Sequence, residues 1–296
     1  MNILERTTMR LSQKSLKVPA SILSMAVKDI PPPSVIISGA TRSGSTTIYS
    51  ALSEHPDVSM SPRKELWFFN NDEKFQSGLN SYKSFFTDFE GEKVVGESTP
   101  FYLHKGILFR NSNRETIYYS ENDSAARRIH EWNPECKIII CLRSPFERIE
   151  SQFEKNLTQG KKLPHDINEK IKDDLEKIDS EKTNNFVYYN KYKTHCDHFI
   201  DVFGRDRVLF LNFKKLTENP KSIFETICNF LEIDNPSLLR IPKNLNSRSL
   251  YEHTRPDRFQ GHLSTKILNA LSLTLKDDVE FCQDLLGEDL GDWMRI

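Results

Sequence analysis

Hydrophobic positions along the chain fall into two patterns. Short continuous apolar runs occur at Val35-Ile36-Ile37, Val94-Val95, Lys137–Leu142 and Arg207–Phe213, and each reads as a buried strand. Between them, apolar residues recur at helical spacing: Ile48, Ala51 and Leu52; Ile167, Ile171, Leu175 and Ile178; Tyr192, Cys196, Phe199 and Phe203; Ile223, Ile227, Phe230 and Leu231. Helices are predicted from about Ser120 to Trp132, over 165–183, over Tyr188–Phe203, from Pro220, and as two segments at 263–275 and 277–286. Alternating strands and helices predict an α/β fold, a single P-loop-like domain with a central, mostly parallel β-sheet flanked by helices. Pro31-Pro32-Pro33 marks a stiff junction before the first strand. Residues 1–33 are read as an N-terminal tail or appended helix, and 34–296 as the domain.

Composition narrows the function classes. The 296 residues are 28% charged and 37% hydrophobic, with formal net charge -1, which argues against a nucleic-acid binder. Five cysteines without a C-x-x-C pair argue against a disulfide framework and a structural zinc site. No apolar run approaches a membrane span, and no signal-peptide pattern opens the chain. A cytoplasmic location is the expectation, and nothing in the sequence sets the oligomeric state.

The stretch that carries chemistry is 35–69. After the first strand comes Gly39-Ala40-Thr41-Arg42-Ser43-Gly44-Ser45-Thr46-Thr47, then a helix stopped by Pro56. A strand, a glycine-containing turn and a helix make a phosphate cradle, because turn amides and the helix N-terminus converge on one anion. The glycine spacing matches a nucleotide-triphosphatase P-loop, but Ser45 stands at the lysine position and the cation is Arg42. Further on, Lys64-Glu65 runs into Trp67-Phe68-Phe69, a carboxylate beside aromatics, an environment that favours a general base. A second strand-end turn, Glu97-Ser98-Thr99-Pro100, is followed by His104, a candidate acceptor contact. The strand ending at Leu142 leads into Arg143, with Ser144, Pro145 and Glu147 signalling a capped helix start. Arg143 and Ser151 form a second anion site; Arg148 reads as a surface arginine. Two anion sites at strand ends suit a ligand with two separated phosphates better than ATP.

These elements resemble PAPS-dependent sulfotransferases, of the bacterial and heparan-sulfate-type branch. The loop 39–47 resembles the family's 5′-phosphosulfate loop. Arg143-Ser144-Pro145-Phe146-Glu147-Arg148-Ile149-Glu150-Ser151 resembles its 3′-phosphate motif, Lys64-Glu65-Leu66-Trp67-Phe68-Phe69 its K-E-x-x-F-F element, and Glu97-Ser98-Thr99-Pro100-Phe101-Tyr102 its E-x-[ST]-P-x-Y turn. The resemblance implies that PAPS (3′-phosphoadenosine 5′-phosphosulfate) is the co-substrate and PAP the product, with no metal required. It implies that Arg42, Ser43, Gly44, Ser45, Thr46 and Thr47 hold the 5′ end and that Arg143 and Ser151 hold the 3′-phosphate. Tyr192 and Arg248 lie near the nucleotide, and Glu65 is the general base. Arg42 replaces the usual lysine and would act as a charge stabiliser. Lys64, Phe69, Ser98 and His104 are candidate acceptor contacts. The acceptor is expected to be a small molecule or saccharide. A P-loop kinase or NTPase, and a non-catalytic PAP-binding module, are the alternatives.

Overall fold

The structure is a computed structural model that describes residues 30–164, 166–234, 236 and 262–294. The tail 1–29 and Arg248 lie outside the described residues. Five strands form one sheet: β1 (Val35–Gly39), β2 (Val58–Met60), β3 (Val94–Ser98), β6 (Lys137–Leu142) and β7 (Val208–Asn212). Their order is β2-β3-β1-β6-β7, and every pairing is parallel. A separate antiparallel hairpin pairs β4 (Ile107–Phe109) with β5 (Ile117–Tyr119).

Both faces of the sheet are covered, which is why its central strands are uninterrupted apolar runs. Alternate residues of β6 enter opposite cores: Ile138, Ile140 and Leu142 pack on one side, Ile139 and Cys141 on the other. Helices α4 (Ala125–Trp132), α7 (Tyr192–Phe203) and α10 (Thr265–Leu286) supply the first core. Helices α1 (Ser45–Leu52) and α9 (Pro220–Leu231) supply the second. A third cluster joins α5 (Pro145–Thr158), α6 (Ile167–Glu176) and α10 to the hairpin. Short helices α2 (Asp72–Gln76), α3 (Leu79–Lys83) and α8 (Phe213–Glu218) complete the α-helices among the described residues.

The structure departs from the sequence expectations in several places. The C-terminal region is one 22-residue helix, not two. Lys276-Asp277 is charged but is no helix breaker, and the buried stripe Leu271, Leu275, Val279 and Cys282 runs straight through it. The helix expected over 165–183 stops at Glu176, and the one expected from Ser120 starts after the Ser124 cap. Residues 188–190 form a 3-10 turn before α7. Strand β2 and the β4–β5 hairpin were not anticipated, because three-residue strands carry no readable period. All five cysteines are buried free thiols. Among the described residues, no helix is long and apolar enough to cross a membrane.

Parallel pairing has one consequence for function. The segments leaving β1, β3 and β6 emerge at the same sheet edge. The chain passes from β1 to the outer strand β2 and back to β3 on one side, then crosses to β6 and β7 on the other, so that edge is a topological switch point.

Candidate active site

The loop after β1 is pinned to its neighbour: the Ala40 amide donates to the Cys141 carbonyl at 2.8 Å, and the Ser43 amide to the Ala40 carbonyl at 3.2 Å. Gly44 is the N-cap of α1 at φ 84, and no side chain caps this helix. The first-turn amides of α1 therefore lack a side-chain acceptor and face the loop. A Cβ on Gly44 would lie 2.7 Å from Leu216 Cδ2 and 3.0 Å from Phe213 Cδ2, so α8 packs directly against the loop at that point. Ser43 is fully buried and its Oγ has no hydrogen-bond partner. Ser45 is buried, Thr47 half-buried and Thr46 exposed.

The second cradle begins where β6 ends, and it is physically joined to the first. Arg143 Nη1 donates to the Arg42 carbonyl at 3.2 Å, and Arg42 Nε donates to Ser151 Oγ at 2.9 Å. Arg143 is further held by Glu147 Oε2 at 3.0 Å, and its guanidinium lies 4.8 Å from the centre of the Phe213 ring. Ser144 is the N-cap and Pro145 the first residue of α5, but the capping box does not form: Ser144 caps nothing and Glu147 is drawn to Arg143 instead. Ser144 Oγ is buried without a partner. Tyr192 is fully buried beneath this site, and its hydroxyl donates to the Arg143 carbonyl at 2.8 Å. A cleft of about 290 Å³ opens here, lined by Arg143, Ser144, Asn212, Phe213, Thr217 and Trp293 among others. Two orphaned buried hydroxyls, an uncapped helix end and an arginine suit an anion at each end of one ligand.

Across the sheet edge, Glu65 sits at φ 62 with its amide donating to the Ser98 carbonyl at 2.9 Å. Its side chain is 39% exposed and its carboxylate meets Lys64 Nζ at 3.2 Å. Burial, and then the Arg42 guanidinium, push the α5 residue Lys155 below the ordinary lysine value, while Glu65 pulls it back up. Arg42, Lys155, Lys64 and Glu65 thus share one electrostatic neighbourhood. Phe69 is fully buried against Tyr82, Tyr102 and Trp132. His104 is 1% exposed, and Ser98 is buried with an unpartnered Oγ. These three candidate acceptor contacts lie behind the cleft surface, not on it; of the four, only Lys64 reaches solvent. Among the described residues, no group of three or more His, Cys, Asp or Glu side chains is arranged to hold a metal ion.

Comparison with known proteins decides the assignment. A family model described as the sulfotransferase domain matches residues 32–271. The chain belongs to the sulfotransferase family. It is 29% identical over 147 residues to the membrane-associated sulfotransferase kil1 of Dictyostelium discoideum, covering 49% of this chain and 27% of that protein. It is 26% identical over 199 residues to human heparan sulfate glucosamine 3-O-sulfotransferase 6, covering 67% of this chain and 52% of the relative. The chain thus spans about half the length of these curated relatives or less. In fold it is similar to the crystal structure of a sulfotransferase from Alicyclobacillus acidocaldarius, with TM-score 0.68 and 23% identity over 90% of this chain and 100% of the other. The kinase reading, already weakened by Ser45, is set aside.

Three residues of the site escaped the sequence reading. Arg148 is no surface arginine: it is 2% exposed. It donates to the Thr41 carbonyl and hydroxyl at 2.9 Å each, to the Tyr189 carbonyl at 2.5 Å and to Asn190 Oδ1 at 2.9 Å. It also reaches His104 Nε2 at 3.2 Å. A guanidinium can only donate, so His104 accepts at Nε2 and carries its proton on Nδ1. Burial holds this imidazole well below its ordinary value and therefore neutral. Lys155 lies one helical turn beyond Ser151 on the same face of α5, and that spacing was the available signal. The third is Glu97. The sequence assigned a carboxylate among buried aromatics to Glu65; the structure puts Glu97 in that environment, at 0% exposure.

Proposed function

We propose that this sulfotransferase moves a sulfuryl group from PAPS to a hydroxyl or amine of a small-molecule or saccharide acceptor. The observation that carries the reading is the link between the two anion cradles, from Arg143 to the Arg42 carbonyl and from Arg42 to Ser151. A nucleotide with phosphate at both ends is the ligand such a coupled pair suits. The orphaned hydroxyls of Ser43 and Ser144 are the donors that await it. Ser43 to Thr47 would hold the 5′ end and Arg143 and Ser151 the 3′-phosphate, with Phe213 packed against both Gly44 and the Arg143 guanidinium. PAPS supplies the sulfuryl group itself, which passes to the acceptor as the bond to the bridging phosphate oxygen breaks.

The protein's own contribution is position and charge. Glu65 accepts the acceptor's proton from the exposed side of the cleft. Arg42 and Lys155 offset negative charge near the loop. Because Arg42 also grips Ser151, it ties charge stabilisation to occupancy of the 3′ site. The heparan sulfate relatives support a saccharide among the acceptors considered. The test is Glu65→Gln, with PAP binding followed by calorimetry and turnover by labelled PAPS across an acceptor panel. Binding is expected to persist while turnover falls by roughly a hundredfold or more. Unchanged turnover would remove Glu65 from the role of base.

A further inference from the structure

Glu97 is the next-to-last residue of β3 and is wholly buried. Its Oε2 accepts from the Thr99 hydroxyl at 2.6 Å and its Oε1 from the Tyr102 hydroxyl at 2.9 Å. Both hydroxyl oxygens are themselves acceptors for the segment that carries Glu65. The Trp67 amide donates to Thr99 Oγ1 at 3.4 Å, and the Phe68 and Phe69 amides donate to Tyr102 Oη at 2.7 and 3.2 Å. The Leu66 amide donates to the Glu97 carboxylate directly. With the Glu65 amide on the Ser98 carbonyl, every amide from 65 to 69 ends on residues 97–102, the end of β3 and the turn that follows it. Glu65 and Trp67 both hold left-handed backbone, at φ 62 and 53. Non-glycine residues stay there only when their surroundings hold them.

We propose that Glu97 is a positioning residue: its ionised carboxylate, through Thr99 and Tyr102, holds residues 65–69 and thereby aims Glu65 at the acceptor. This rests on the reading of Glu65 as the base. The array requires the ionised form. Thr99 and Tyr102 take amide protons on their oxygens and so point their own protons at Glu97. A proton on Glu97 would turn one acceptor into a donor, facing a hydroxyl oxygen that already accepts. Burial pushes the Glu97 carboxyl up to about 7, opposed by its hydrogen bonds to Thr99, Tyr102 and Leu66 and by Lys74. The groups acting on it are Lys74 from α2, Tyr82 from α3, Tyr102 from the turn and Cys136 ahead of β6. Burial raises both phenols and the thiol, which leaves them neutral, so Lys74 is the one cation in this set. Lys74 also donates to the Leu66 carbonyl at 2.6 Å, from the other side of the same segment. As pH falls through about 7, Glu97 gains its proton, the array loses one of its two carboxylate acceptors, and turnover falls.

The experiment follows the ¹⁵N-indole signal of Trp67, assigned with Trp67→Phe, through a pH titration of the full chain, alongside the pH profile of turnover. In wild type the signal is expected to titrate with a midpoint of about 7, matching the acid limb of turnover. Glu97→Gln should abolish the titration and flatten the limb, lower turnover above it by roughly a hundredfold, and leave PAP affinity unchanged. Tyr102→Phe deletes one donor to the carboxylate, so it should move the midpoint to higher pH, a shift that a merely structural role would not produce. Persistence of the titration in Glu97→Gln, or an unmoved midpoint in Tyr102→Phe, would overturn the proposal. The indole titration is read without turnover, so full activity in Glu65→Gln would sink the base assignment while leaving this test intact.

Discussion

Replacing Arg143 with alanine tests its proposed contact with the 3′-phosphate of the nucleotide. Arg143 has five N–H donors. Its Nε is committed to Glu147 and one Nη1 proton to the Arg42 carbonyl, which leaves the rest of the fork for a phosphate. Tyr192 fixes its backbone carbonyl, and the Phe213 ring lies under its guanidinium, so the group is already ordered before ligand arrives. A hydrogen bond to a charged partner contributes about 1.5–3 kcal/mol, which converts to roughly a tenfold to hundredfold loss of affinity. The Glu147 carboxylate is 42% exposed, so losing its ion pair with Arg143 should cost the fold no more than about 1 kcal/mol. The assay is calorimetric titration of wild type and Arg143→Ala with PAP and with 5′-AMP, which lacks the 3′-phosphate. PAP should weaken by that factor and 5′-AMP hardly at all. Equal losses for the two ligands, or none for PAP, would refute the assignment of Arg143 to the 3′-phosphate.

Other outcomes follow from the same geometry. Gly44→Ala places a methyl against Leu216 and Phe213 at positive φ, and should cost about 1–3 kcal/mol of stability in a denaturant melt while weakening PAP. Arg148→Met strips donors from Thr41, Tyr189 and Asn190 and should destabilise by about 3 kcal/mol or more; Arg148→Lys should not restore this, because an ammonium cannot span those acceptors. Glu97 sets a stability trend of definite sign. Its folded value of about 7 lies above the ordinary 4.5, so the stability it contributes is present at low pH and is lost as pH rises through about 7. The loss is up to about 3 kcal/mol. The stability difference between wild type and Glu97→Gln, followed by urea unfolding across that range, should shift toward the variant by this order.

The sheet was legible where burial on both faces leaves no alternation: β1 and β6 stand out as apolar runs, and the loops that follow them are the two anion cradles. Arg143 could be chosen because it is the first polar residue after a buried strand. Arg148 could not, because its partners at 189 and 190 reach it only through the fold. The acceptor side was read less well, for a related reason. Glu65 precedes the cluster Trp67-Phe68-Phe69 and Glu97 precedes Phe101-Tyr102. Sequence spacing does not say which is enclosed. Parallel pairing of β1 with β3 draws Glu97 into the core, and the left-handed turn at Glu65 lifts its carboxylate outward. Phe69 and His104 were taken for cleft residues on proximity along the chain, whereas their rings pack inward.

The central claim is that the joined cradles hold one nucleotide with phosphate at both ends. Its most direct measurement is thermal unfolding with saturating PAP, 5′-AMP or Mg·ATP. Ligand at a hundred times its dissociation constant stabilises by about 2.7 kcal/mol. For a chain of this size that is a rise in Tm of roughly 4 °C with PAP, and a small fraction of it with the other two at the same concentration. No stabilisation by PAP, or equal stabilisation by Mg·ATP, would contradict the account.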